Sequence, residues 1–115
     1  MPYLAIHTNT DIPAAKHDTL LREASKQASE SLGKPEQYVM VSLYPNESLN
    51  FAGNADPAAY IELKSIGLPE SRALDLSASL CSFCEAHLGI SPSRIYIEFS
   101  DAPRAMWGWN GKTFA

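Results

Sequence analysis

The sequence predicts a two-layer α/β (α+β) sandwich, in which a four-stranded mixed sheet carries two helices on one face. Three observations lead there. Two amphipathic stretches of helical period each lie between segments of alternating apolar and polar residues. The pattern then repeats: a shift of 56 residues places Leu32-Gly33 on Leu88-Gly89 and Val39, Val41 and Leu43 on Ile95, Ile97 and Phe99. A shift of 57 places Leu4 and Ile6 on Ile61 and Leu63. Finally, 115 residues of which 45% are hydrophobic make a single domain, residues 1–115, able to bury one core.

Each element has its own signature. Pro2–Thr8 reads as a strand, with Leu4 and Ile6 alternating against Ala5 and His7. Asn9–Pro13 is turn chemistry. A helix follows over Ala14–Leu32, with Leu20, Leu21, Ala24, Ala28 and Leu32 at three- and four-residue spacing. Gly33 ends it, and Pro35 prevents its continuation. Tyr38–Tyr44 is the second strand. The polar stretch Asn46–Asp56 leaves room for a short strand at Leu49–Phe51. Ala58–Ile66 is the next long strand. Pro69 opens a second helix whose stripe is Ala73, Leu76, Leu80, Cys84 and Leu88, closed by Gly89. Arg94–Phe99 is the last strand of the repeat, and the aromatic tail Met106–Ala115 holds a turn at Asn110-Gly111.

Each half is thus strand, helix, strand, and a helical crossover makes the paired strands parallel. With both helices on one face, the other face of the sheet is uncovered. Its apolar residues predict a partner subunit there, hence a homo-oligomer. The formal charge of −4 and the absence of a Lys/Arg run argue against nucleic acid as a partner. No apolar run approaches the ~20 residues of a membrane span, and no signal-peptide pattern opens the chain. Two cysteines do not make a disulfide scaffold, so a cytoplasmic, reducing setting is expected. Secretion by a route without a signal peptide is left open.

Pro2 is the candidate for chemistry. Methionine before a small residue is normally removed, and the new terminus would be a prolyl secondary amine. An α-amine has a reference pKa of about 7.7–8.0, and an apolar site lowers it into the range of a general base and acid. Tyr38, Ile66, Tyr96, Trp107, Trp109 and Phe114 are candidate apolar walls. Taken alone, Pro at position 2 is common and aromatic stripes are usually core. Cys81 and Cys84 form a Cys-x-x-Cys pair in mid-helix, away from the helix N-terminus that activates redox thiols. With His87 they offer three metal-type ligands on one face, but packed thiols are the preferred reading.

Read in order, the pieces Met1-Pro2, Asn9, Leu32-Gly33-Lys34-Pro35, Gln37-Tyr38, Phe51-Ala52-Gly53, Pro57, Ser65-Ile66-Gly67, Ile90-Ser91-Pro92, Arg94-Ile95-Tyr96-Ile97, Gly108-Trp109-Asn110 and Thr113-Phe114-Ala115 resemble the macrophage migration inhibitory factor family of the tautomerase superfamily. The resemblance spans almost the whole chain. It implies a homotrimer with active sites between subunits, and it implies Pro2 as catalytic base. Lys34 and the Ile66 N–H are implied as holders of a substrate carboxylate, Tyr96 as a contribution from the neighbouring subunit, and Tyr38, Trp109 and Phe114 as aromatic walls. No metal or cofactor is required by such a proton transfer.

The chain departs from the animal pattern of that family at several points. Glu98 stands where a pocket-rim asparagine is found, which puts substrate preference in doubt. Trp107 replaces a small aliphatic residue and should reshape the pocket mouth. The animal Cys-x-x-Cys falls on Ala58–Ile61, so a thiol activity tied to it does not transfer. The implied function is keto–enol tautomerisation of α-keto acids such as phenylpyruvate, with dopachrome as a second candidate. The alternative is a cytokine-like protein that binds a receptor and retains weak or vestigial activity. Hydration or dehalogenation fits less well, because no Arg pair accompanies Pro2.

Overall fold

A computed structural model describes residues 1–115. The elements run β1 (Tyr3–Thr8), α1 (Ala14–Leu32), β2 (Met40–Tyr44), β3 (Ala59–Ile66), α2 (Ala73–Leu88), β4 (Ile95–Ala102), β5 (Gly108–Trp109) and β6 (Lys112–Thr113). The four long strands form one sheet in the order β2-β1-β3-β4. β1 and β2 are parallel, β3 and β4 are parallel, and β1 meets β3 antiparallel. This is the doubled βαβ sandwich expected from the repeat.

Register explains the core. Leu4 lies opposite Val41 on one side and Leu63 on the other, and Leu63 faces Phe99. Ile6 similarly joins Leu43 and Ile61, and Ile61 joins Ile97. These two rows form the helix-facing side of the sheet. Leu20, Ala24 and Ala28 of α1 and Leu76, Leu80, Phe83 and Cys84 of α2 close over them. Both helices end on a left-handed glycine, Gly33 at φ 63° and Gly89 at φ 67°, a conformation that glycine adopts without a Cβ penalty. Thr8, fully buried, donates its hydroxyl to the Ala58 carbonyl at 2.8 Å.

The uncovered face departs from expectation. It holds Met40 and Ala5 but is otherwise polar or hydroxylated. Its rows read Met40-Tyr3-Lys64-Ser100, Ser42-Ala5-Glu62-Glu98 and Tyr44-His7-Tyr60-Tyr96. His7 stacks on Tyr44 with ring centroids 4.3 Å apart and bonds Glu47 at 2.7 Å. Lys64 pairs with Glu62 at 3.3 Å. Such a face suits a hydrated interface better than a dry one.

Several boundaries moved. The second strand starts at Met40 and not at Tyr38, because Pro35 starts a 3₁₀ turn that takes up Glu36–Tyr38. The Leu49–Phe51 strand is reduced to a single bridge between Phe51 and Asn54, because Asn9 holds that loop by side-chain bonds to the Leu49, Ala55 and Asp56 carbonyls. The second helix opens with a 3₁₀ turn at Glu70–Arg72 before α2 proper. β4 continues past Phe99 to Ala102, carried by pairing of Ser65 with Asp101 and Ile66 with Ala102. No helix is long and apolar enough to cross a membrane.

Cys81 and Cys84 are free thiols within α2, and they gather with no third ligand. Cys84 is buried in the core, while His87 is exposed and its ring lies 4.3 Å from that of Phe83. Burial, then the neighbouring Cys81, pushes the Cys84 thiol up to about 12 from 9.0. The folded state therefore favours the neutral thiol. Below pH 9.0 both states hold that proton and the preference has no effect on stability; above it the unfolded chain ionises first. We expect the denaturation midpoint to fall as pH rises from 9 toward 12, and the fall to lessen in Cys84→Ala measured against its own pH 8 value.

Candidate active site

The site begins at the first turn of chain. β1 is an interior strand, so its leading residue enters the sheet between β2 and β3. Pro2 is fully buried there, and its carbonyl accepts the Met40 N–H at 3.0 Å. Proline suits this position because a strand's first residue need not donate to the ladder. Extending the β1–β3 register from Tyr3–Lys64 puts Pro2 beside Ser65 and Met1 beside Ile66.

A cavity of about 220 Å³ opens over this point. Its floor is Met1, Pro2 and Tyr3, one side is Gln37, Tyr38, Val39 and Met40, and the other is Trp107, Gly108, Trp109 and Phe114. A 3₁₀ turn at Glu36–Tyr38, started by Pro35, turns Tyr38 toward the opening. The tail folds as a hairpin on Asn110-Gly111, both at positive φ (54° and 75°), the backbone of a two-residue type I′ turn. Trp109 and Phe114 stack at 5.8 Å and 13°, and Tyr38 stands edge-on to both at 5.5 and 6.1 Å. The three rings form a box with flat faces and one open end.

Of the residues the sequence singled out, Pro2, Tyr38, Trp107, Trp109 and Phe114 meet in this cavity. Lys34 stands outside its lining but close enough to act on it. Burial first, and the Lys34 charge second, hold the chain-start amine below its usual 8.0. Ile66 is buried at the end of β3. Tyr96 and Glu98 lie elsewhere, on the uncovered face. Tyr96 is 65% exposed and meets Phe51 edge to face at 4.8 Å. Glu98 accepts the Tyr60 hydroxyl at 3.2 Å. Desolvation, then the Glu98 carboxylate, raises the Tyr60 phenol, which keeps it a donor.

Sequence reasoning missed Ser29. Its carbonyl accepts the Lys34 N–H at 3.1 Å, and its hydroxyl donates to the Lys34 carbonyl at 2.6 Å. Both backbone groups of Lys34 are thus fixed by one residue of α1. The signal is the helix end itself. Lys34 occupies the second position past the helix, where an apolar residue usually packs back on the last turn. The repeat shows the ordinary solution: Ile90, the counterpart of Lys34, is fully buried and its N–H reaches the Cys84 carbonyl at 3.5 Å. A cation in the equivalent place breaks the local rule, and such breaks concentrate at functional sites.

An α/β sandwich of two βαβ units, with a depressed chain-start amine under an aromatic box, is a tautomerase-fold architecture. The comparisons carry this to a family. Residues 1–115 match the sequence profile of macrophage migration inhibitory factor (MIF), and the chain belongs to that family. It is 38% identical to macrophage migration inhibitory factor of Rattus norvegicus over 117 residues, covering 100% of both chains. Among solved structures, a homologue from Prochlorococcus marinus is similar with a TM-score of 0.91 and 44% identity, over 98% of this chain and 99% of that one. The Trichinella spiralis protein is similar with a TM-score of 0.88 and 35% identity, over 96% and 98%. The family is known for tautomerase and cytokine roles.

Replacing Lys34 by the isoleucine of the second repeat should separate charge from folding. We expect Lys34→Ile to raise the chain-start amine toward 8.0, read by titration of its NMR signals. The melting temperature should hold or rise by up to about 5 °C, the shift that roughly 1 kcal/mol gives a domain this size.

Proposed function

We propose that this protein is a keto–enol tautomerase of α-keto acids, with phenylpyruvate as model substrate and dopachrome as a second candidate. The observation that carries the reading is the cavity that buried Pro2 shares with Tyr38, Trp107, Trp109 and Phe114; beside it, burial and then Lys34 hold the Met1 amine below 8.0. Removal of Met1 transfers the terminus to Pro2, which is buried more deeply than Met1. It also vacates the part of the cavity that Met1 fills.

The mechanism moves one proton in two steps. The Lys34 ammonium and the Ile66 N–H hold the carboxylate, a charge-assisted pairing. The neutral Pro2 nitrogen takes the enol O–H proton and becomes an ammonium. That proton is returned to the adjacent carbon, so the substrate leaves as the keto form and the amine is neutral again. Tyr38, Trp109 and Phe114 hold the aromatic group, and Trp107 narrows the mouth. No cofactor or metal enters the exchange.

Tyr96 and Glu98 reach such a site only from another copy of the chain. We place them in a homotrimer, against the pocket of the adjacent subunit. Support comes from the high exposure of Tyr96 and from a polar sheet face with no cover within one chain. Glu98 would then put a carboxylate near an acidic substrate. That observation keeps a second reading in view: a cytokine-like, receptor-binding protein with weak turnover.

Phenylpyruvate tautomerisation by the Met1-processed protein decides between them. We expect Pro2→Gly to lower kcat/KM by about 100-fold, within the usual range for a lost acid–base group. Equal rates for the two would reject Pro2 as the base, and negligible turnover by the processed parent would favour receptor binding. In sedimentation we expect a trimer; a stable monomer would remove the intersubunit part of the site.

A further inference from the structure

One short connection ties down both the turn after Ile66 and the aromatic tail. At the end of β4, a single Asp101 carboxylate oxygen, Oδ1, accepts the N–H groups of both Gly67 and Leu68 at 3.0 Å. Three residues on, the Arg104 Nε donates to the Phe114 carbonyl at 3.0 Å. Pro103, at φ −63°, stiffens the link between them.

We propose that Asp101 and Arg104 are positioning residues that set substrate specificity, Asp101 through the backbone beside Ile66 and Arg104 through the Phe114 wall. The proposal rests on the tautomerase reading and deepens it. Gly67 sits at φ 71°, so the chain turns sharply just after Ile66. Two successive N–H groups in such a turn form a ready anion site. Here the protein's own carboxylate takes both. That bond pair fixes the turn, and with it the position of the Ile66 backbone that precedes it. Asp101 itself is exposed and touches no part of the cavity lining, so it acts through the turn.

The Arg104 arm works on the aromatic side. Phe114 follows β6 directly and lies outside the hairpin's own strand pairing. Its N–H donates to the Trp107 carbonyl at 3.2 Å, and Arg104 takes its carbonyl. Both backbone groups of Phe114 are therefore held, which keeps its ring parallel to Trp109. Arg104 is likewise exposed and outside the lining.

The two arms predict different losses. Proton exchange at C3 in deuterated water, followed by NMR, reads three substrates alike: phenylpyruvate, its methyl ester, and the aliphatic 2-oxohexanoate. We expect Asp101→Ala to raise KM about tenfold for the two acids and to leave the ester within about twofold, as loss of one charge-assisted contact would. Asp101→Asn keeps an acceptor oxygen and should recover most of the difference. Arg104→Ala should lower kcat/KM about fivefold for both aromatic substrates and spare 2-oxohexanoate, with Arg104→Lys intermediate. Equal loss on all three substrates, or no change in either alanine variant, overturns the proposal. A parent protein that exchanges none of the three rejects the tautomerase reading alone. The specificity claim is then read from binding, by quenching of Trp107 and Trp109 fluorescence, where the same ratios are expected and their absence overturns it.

Discussion

Pro2 begins a strand that has neighbours on both sides, and that placement governs the rest of the site. A chain terminus normally stays in water, where its amine is charged. Here the first strand is interior, with β2 on one flank and β3 on the other. An amine in that position loses solvent, and lost solvent disfavours its charged form. On the Met1 amine, Lys34 adds a second, electrostatic push in the same direction. Neither effect would operate if β1 were an edge strand with its end in the open. The topology therefore sets the start of the chain in a poorly solvated place before any aromatic residue is considered.

The duplication shows where the two halves of the fold differ. Both halves share the strand–helix–strand order, the left-handed glycine and the return strand. The counterpart of Pro2, by the repeat, is Ala59, which is buried in mid-chain and has no free amine. The counterpart of Lys34 is Ile90, which plugs the core. The second half thus shows what the fold requires, and the first half shows what was altered. A free chain end and one cation in place of an apolar plug distinguish them. Ser29 belongs to this alteration, because a lysine at the helix end gains no packing to fix it and needs another hold.

Much of this was legible from residues alone, for identifiable reasons. The helices have strong periodicity and unambiguous stops at Gly33 and Gly89, where both end, although the second starts later than Pro69 indicates. The Asn110-Gly111 turn was readable because few dipeptides tolerate positive φ twice. The loop around Phe51 was not, since it is organised by Asn9 and by Arg94. Arg94 donates to the Pro57 and Asp56 carbonyls at 3.0 Å and lies 5.2 Å from the Phe51 ring centre. Such long-range side-chain bonds leave no local signature. The extension of β4 was hidden for a similar reason, because Ser100 and Asp101 have little strand preference and are carried by β3. The bonds of Asp101, Arg104 and Ser29 to backbone groups were not legible, because they follow from tertiary placement.

The uncovered face brings these threads together. Alternation along β3 and β4 sends Leu63 and Ile97 to the core, so Tyr60, Glu62, Tyr96 and Glu98 must point the other way. A sheet that must bury its second face in a dry interface would place apolar residues there. This one places two glutamates side by side, Glu62 next to Glu98, and gives them Lys64 and Tyr60 as local partners. Neighbouring carboxylates repel, and the repulsion is tolerable where water can enter. The same strand pair leaves Tyr96 projecting without a full complement of contacts. A face that is polar at its centre and offers aromatic groups at one end is suited to an interface that keeps water. The pleat of the sheet alone decides this, since a one-residue slip of β4 would bury Tyr96 and expose Ile97.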